Sequence, residues 1–148
     1  MSYHEESTTL LTNCRHLYEN VKSFKESNFE KNVYNKINED INHLNTSLDN
    51  LLLNLNNNQN ETDENKLFIT SLGSIRANLY QIKTSINPGF RIQDTNKWVL
   101  TGKFFKNPPK LPLIYQQHIK ICLDTFTASL NLLENLIERS NTNKQLKH

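Results

Sequence analysis

Apolar residues recur along this chain in steps of three and four. Leu10, Cys14, Leu17, Val21 and Phe24 form one such run. Val33, Ile37, Ile41, Leu44, Leu48, Leu51 and Leu55 form a second, and Phe68, Leu72, Ile75, Leu79, Ile82 and Ile86 a third. Tyr115, Ile119, Cys122, Phe126, Leu130, Leu133 and Ile137 form a fourth. On an α-helix this spacing gathers each run onto one face as a heptad-like seam. The pattern predicts four helices, over about 5–25, 28–55, 63–87 and from Pro112 to about 140.

Local signals mark the boundaries. Ser27 and Glu30 have the form of a capping box that starts the second helix. Residues 56–65 hold no apolar group and read as a solvated loop, with Thr62 or Asp63 placed to cap the third helix. Asn87-Pro88-Gly89 is expected to end that helix, because proline has no N–H to donate and restricts the residue before it. Pro112 suits the first turn of the fourth. Two short connections and one long one, over 88–111, then predict an all-α fold. It is an antiparallel four-helix bundle with a long ordered link between the third and fourth helices. Residues 1–140 make a single domain and 141–148 a polar tail.

Two helices carry apolar residues beyond their seams. Leu52 and Leu53 adjoin the second seam, and Ile114, Ile121, Leu123, Leu132 and Leu136 the fourth. A helix that is apolar on more than one face either widens the core or contacts another chain. Leu52, Leu53, Leu123 and Leu132 are therefore candidate partner-binding residues.

Composition changes this picture in one respect. The 148 residues include 23 asparagines and only two alanines, Ala77 and Ala128. Asparagine is a mediocre helix former and alanine the best, so packing rather than propensity must hold these helices. No stretch resembles a secretory leader or a membrane span, and two cysteines, Cys14 and Cys122, lie on seams as buried thiols. The chain thus reads as intracellular, cytoplasmic or nuclear.

Reactive chemistry is not visible in the sequence. The five histidines are scattered singly, and HExxH, CxxC and EF-hand spacings are lacking. Three glycines do not make a phosphate loop, and no GxSxG occurs. A dimetal bundle would set Glu and His into the seams, which hold neither. No catalytic residue, metal or cofactor is expected.

Charge is uneven along the chain. Residues 1–62 carry −4 and residues 63–148 carry +6. Within 88–112, Arg91, Lys97, Lys103, Lys106 and Lys110 face a single Asp94 in sequence, interleaved with Phe90, Trp98, Phe104 and Phe105. Basic groups neutralise phosphates and aromatic faces stack on bases, so this stretch is a candidate anion- or nucleic-acid-binding segment. Trp98, Phe104 and Phe105 serve equally as partner contacts or as a small core folded back on the bundle. Lys106 to Pro112 also fits K-x-x-P-x-x-P, a form that proline-recognition modules accept. The leading expectation is a non-enzymatic adaptor or structural subunit that binds helical proteins, as a homo- or hetero-oligomer, through apolar helix faces. The alternative is a nucleic-acid or phosphate-surface binder that uses the link.

Overall fold

The computed structural model describes residues 3–26, 31–57, 62–96 and 113–146. They form four α-helices: α1 (Tyr3–Glu26), α2 (Lys31–Asn57), α3 (Asp63–Asn96) and α4 (Leu113–Leu146). The described residues contain no strand. Each helix packs on its neighbours in the ring α1, α2, α3, α4 and back to α1, and the α3/α4 contact is the most extensive.

The four seams meet in one core. Cys14, Val21, Ile37, Ile41, Leu48, Phe68, Leu72, Ile75, Leu79, Ile82, Ile86, Ile119, Phe126 and Leu133 are wholly enclosed there. Each such side chain contributes about 1.5–3 kcal/mol relative to exposure, which offsets the weak helix propensity of the asparagine-rich sequence. Val33 is the one described seam residue that is only partly buried, near the start of α2.

Cross-helix contacts set the chain directions. Asn54 of α2 donates to Glu6 of α1, and Asn20 of α1 donates to Asp40 of α2, so contacts descend along α2 as they ascend along α1. The same inversion holds between α1 and α4, where His4 meets Ser140 and Arg15 meets Glu134. His4 also lies beside Glu64 and Phe68, which brings the starts of α1 and α3 to one end of the bundle.

Thr62 caps α3 as its position suggests. Its Oγ1 accepts the Asn65 N–H at 3.1 Å and its carbonyl accepts the Lys66 N–H at 3.2 Å. Asp63 and Glu64 place negative charge in the first turn, where the helix dipole favours it. The expected capping box at Ser27 and Glu30 lies outside the described residues.

Three expected boundaries are corrected. α3 does not end at Asn87 but runs through Pro88 and Gly89 to Asn96. Proline deletes one helical hydrogen bond, to the Thr84 carbonyl, and the ladder resumes beyond it, as in kinked helices. The long link therefore does not begin at residue 88, and its remainder, 97–112, lies outside the described residues. α4 likewise continues to Leu146, so 141–146 are helical. Ser140, buried in the bundle, carries the core one heptad past Leu133, and Lys144, Gln145 and Leu146 beyond it are good helix formers.

Candidate interaction surface

A polar cluster lies inside the bundle at its end near the starts of α1 and α3. His4 Nε2 hydrogen-bonds Ser140 Oγ, and the same nitrogen lies 3.6 Å from Glu64 Oε1. The Phe68 ring packs edge-on against the imidazole at 5.8 Å. A serine, a histidine and a carboxylate together raise the question of a hydrolytic triad. In a triad the acid orients the histidine through the ring nitrogen opposite the nucleophile. Here Ser140 and Glu64 approach one nitrogen, and both His4 and Ser140 are buried. The arrangement ties α1, α3 and α4 together.

The sequence reading missed this polar interior. Ser71, Asn78 and Ser85 are buried on α3 at a seven-residue spacing, interleaved with Phe68, Ile75 and Ile82. The run 68-71-75-78-82-85 is itself a heptad seam with alternate members polar. Ser85 Oγ donates to the Gln81 carbonyl at 2.6 Å and contacts Cys122 Sγ at 3.3 Å, which joins α3 to α4. Ser7 Oγ, Ser71 Oγ and Asn78 Oδ1 are buried with no hydrogen-bond partner among the described residues. Of the thiols, Cys14 has its pKa pushed up to about 12 by burial, with a smaller opposing pull from the Arg15 charge. Among the described residues no group of three or more His, Cys, Asp and Glu gathers.

Outside the core, grooves follow the helix pairs. The α1/α4 groove is crossed by Arg15, which donates to Glu134 at 2.7 Å and to Asn131 at 3.5 Å. The α2/α3 groove is crossed by the Arg76–Asp49 ion pair, with Tyr80 and Lys83 alongside. The α1/α2 groove is lined by His16, Lys36, Asp40 and His43 among others.

The outer face of α3 and α4 differs in kind. On α4, Arg15–Glu134 marks the edge beside α1 and Ser85–Cys122 the edge beside α3. Beyond the α3 edge, the outward row of α4 holds Ile114, His118, Ile121, Thr125, Ala128, Leu132 and Asn135. Ile114 is 71% exposed, Ile121 63% and Leu132 49%. The facing row of α3 holds Leu67, Thr70, Ser74, Ala77, Gln81 and Thr84, with Leu67 48% exposed. From Ile114 to Asn135 the α4 row holds no Lys, Arg, Asp or Glu, and its next member is the exposed Arg139. The outward positions of α1 and α2, by contrast, display Glu5, Glu19, Lys22, Lys36, Glu39 and Asp49. Both alanines of the chain, Ala77 and Ala128, are exposed on this face.

The proposed partner-binding residues are distributed differently from the sequence expectation. Leu132 is on this face. Leu123, only 3% exposed, belongs to the core. Leu136 is buried as well. Leu52 is partly buried against the core, while Leu53 is exposed on α2, away from the α3/α4 face. Trp98, Phe104, Phe105, Lys97, Lys103, Lys106 and Lys110 lie outside the described residues, as does the side chain of Arg91 on α3. Leu67, Tyr80 and Leu113 are exposed hydrophobics that the seam pattern did not single out. No described helix is long and apolar enough to cross a membrane. Comparison of the chain with protein families, curated proteins and solved structures finds no match.

Proposed function

We propose that this chain is a non-enzymatic structural or adaptor subunit that binds helical protein chains through the outer face of α3 and α4. The supporting observation is the row Ile114, Ile121 and Leu132 exposed on α4, with Leu67 exposed on α3. Large aliphatic side chains scattered singly on a surface need no explanation, but several aligned along one helix face suit a contact site. Its groove between two helices suits a further helix laid along it.

The test is affinity purification of the tagged chain at moderate salt with nuclease, beside the Ile121→Lys, Leu132→Lys double variant. The expected result is a stoichiometric helical protein, a second copy included, held by the parent chain and lost from the variant. Equal recovery on both chains would remove the face from consideration. Anion binding through Arg91, Lys97, Lys103, Lys106 and Lys110 is supported by sequence composition alone. It predicts nucleic acid in the sample without nuclease and binding that weakens steeply with salt.

A further inference from the structure

We infer that His16 and His43 hold a divalent transition-metal ion across the α1/α2 groove, an ion of the imidazole-binding class to which zinc belongs. The inference stands apart from the α3/α4 face and from whatever that face binds.

Two hydrogen bonds fix the levels of α1 and α2. Asn20 donates to Asp40, and Asn54 donates to Glu6. The two helices run in opposite directions. Four residues back from Asn20 and four on from Asp40, His16 stands level with Leu44, so His43 is displaced by one residue, about 1.5 Å along the axis. Three residues further, Asn13 faces Ser47. All of these residues line one groove of about 420 Å³. Its sides therefore meet in three polar rungs: Asn20 with Asp40, His16 with His43, and Asn13 with Ser47. Packed helices stand about 8–10 Å apart. Imidazoles rooted on the two sides of such a gap converge on one ion between them, at the zinc–nitrogen distance of about 2.0–2.1 Å. Both histidines are exposed and neither serves the core. His4, by contrast, is buried and engaged with Ser140 and Glu64.

The charge around the pair selects a cation. Protonated, the two imidazoles would take an anion together with Lys36, which lines the same groove. Lys36 is seven residues from His43, however, about 10 Å away along the helix and beyond a physiological Debye length of about 8 Å. The other neighbouring cation, Arg15, is turned to Glu134 across the α1/α4 groove. Three carboxylates are nearer. Asp40 lies in the groove three residues before His43, Glu39 stands four residues before His43, and Glu19 three residues after His16. A metal-bound histidine donates its second ring N–H to a carboxylate or carbonyl, which fixes the tautomer and raises the basicity of the ligating nitrogen. Spacings of three and four on a helix place Glu19 beside His16 and Glu39 beside His43 for that role. Among the described residues no three ligand-type side chains gather. The two imidazoles therefore carry the site, and water completes the coordination of an ion that enters directly from solvent. Imidazole ligation favours zinc, copper or nickel over magnesium, which takes oxygen ligands.

The deciding experiment titrates zinc chloride into the untagged full chain by calorimetry and follows the thermal melt in parallel. One zinc per chain is expected. At a hundredfold excess over its dissociation constant, zinc should raise the melting temperature by about 5–10 °C, because it ties α1 to α2 only in the folded state. His16→Ala and His43→Ala should each weaken zinc binding at least about tenfold, the scale of losing half of a two-ligand chelate, and the double variant should lose little more. Both positions are exposed, so both variants should melt like the parent without zinc. Should either variant unfold, the nitrogen resonances of the two imidazoles in the parent chain decide, and zinc should shift both together. Magnesium should neither bind nor displace zinc. No heat and no change in the melt at millimolar zinc overturns the inference. So does zinc binding that survives in both single variants, or a stabilisation that magnesium reproduces.

Discussion

Cys14 shows what burial does to a single group on this seam. Its thiol is enclosed, and its pKa of about 12 lies above the value near 8.5–9 that an unfolded chain would give. The folded state therefore keeps the proton to higher pH than the unfolded state does. The stabilisation is fully present below the unfolded value and is lost as pH rises through about 12. At about 1.4 kcal/mol per unit, the alkaline loss reaches roughly 4 kcal/mol. Urea titrations between pH 8 and 11 should show the parent losing stability faster than Cys14→Val, and parallel curves would refute the assignment. Neither Cys14 nor Cys122 should react with a thiol reagent in the native state, since both are buried. Ser71 is the opposite case, a buried hydroxyl with no partner among the described residues. Ser71→Ala removes its desolvation penalty and should raise stability by about 1 kcal/mol in chemical denaturation, whereas a satisfied hydroxyl would lower it.

At the scale of one helix, α3 combines a good start with a weak middle. Thr62 supplies the N-cap bond to Asn65, and Thr62→Ala should cost about 1 kcal/mol. Gly73 is an exposed position where an added Cβ meets nothing within 4 Å. Gly73→Ala should therefore stabilise by up to about 1 kcal/mol through helix propensity and unfolded-state entropy. Thermal melts of the two variants should move in opposite directions. A drop for Gly73→Ala would mean that the site is occupied in solution. The same helix shows why a proline is an ambiguous stop. Pro88 removes one donor, yet the backbone continues to Asn96 because the loss of a single bond is offset by the turns on either side.

For the whole molecule, core and surface apolar residues should separate cleanly by experiment. Phe126 is fully enclosed, and Phe126→Ala should cost about 3–5 kcal/mol by opening a cavity between helices. Ile121→Lys lies only five residues earlier on the same helix but on its outer row, so it should leave the melt within about 0.5 kcal/mol and change association alone. If Ile121→Lys instead lowers stability as Phe126→Ala does, the outer row is packed inside the molecule and the contact surface must be sought elsewhere. The Arg15–Glu134 pair, by contrast, is partly exposed on both sides and should contribute little to stability.

The three-four spacing of apolar residues alone determined the number of helices and almost every described member of the core, because a helix has only one way to bury such a stripe. It also placed the Thr62 cap, since capping is local chemistry. What lay beyond its reach depended on neighbours in space. Leu123 and Leu132 look alike in the sequence, yet one closes the core and the other faces outward, a difference set by the width of the arc that α1 and α3 cover on α4. Ser71, Asn78 and Ser85 occupy interior positions that a search for apolar residues passes over, and Ser7 and Ser140 do the same on α1 and α4. The outer α3/α4 face joins residues some fifty positions apart. No local pattern could align Ala77 with Ala128 or Thr84 with Ile121, because their level is decided only when Ser85 meets Cys122 across the packed helices.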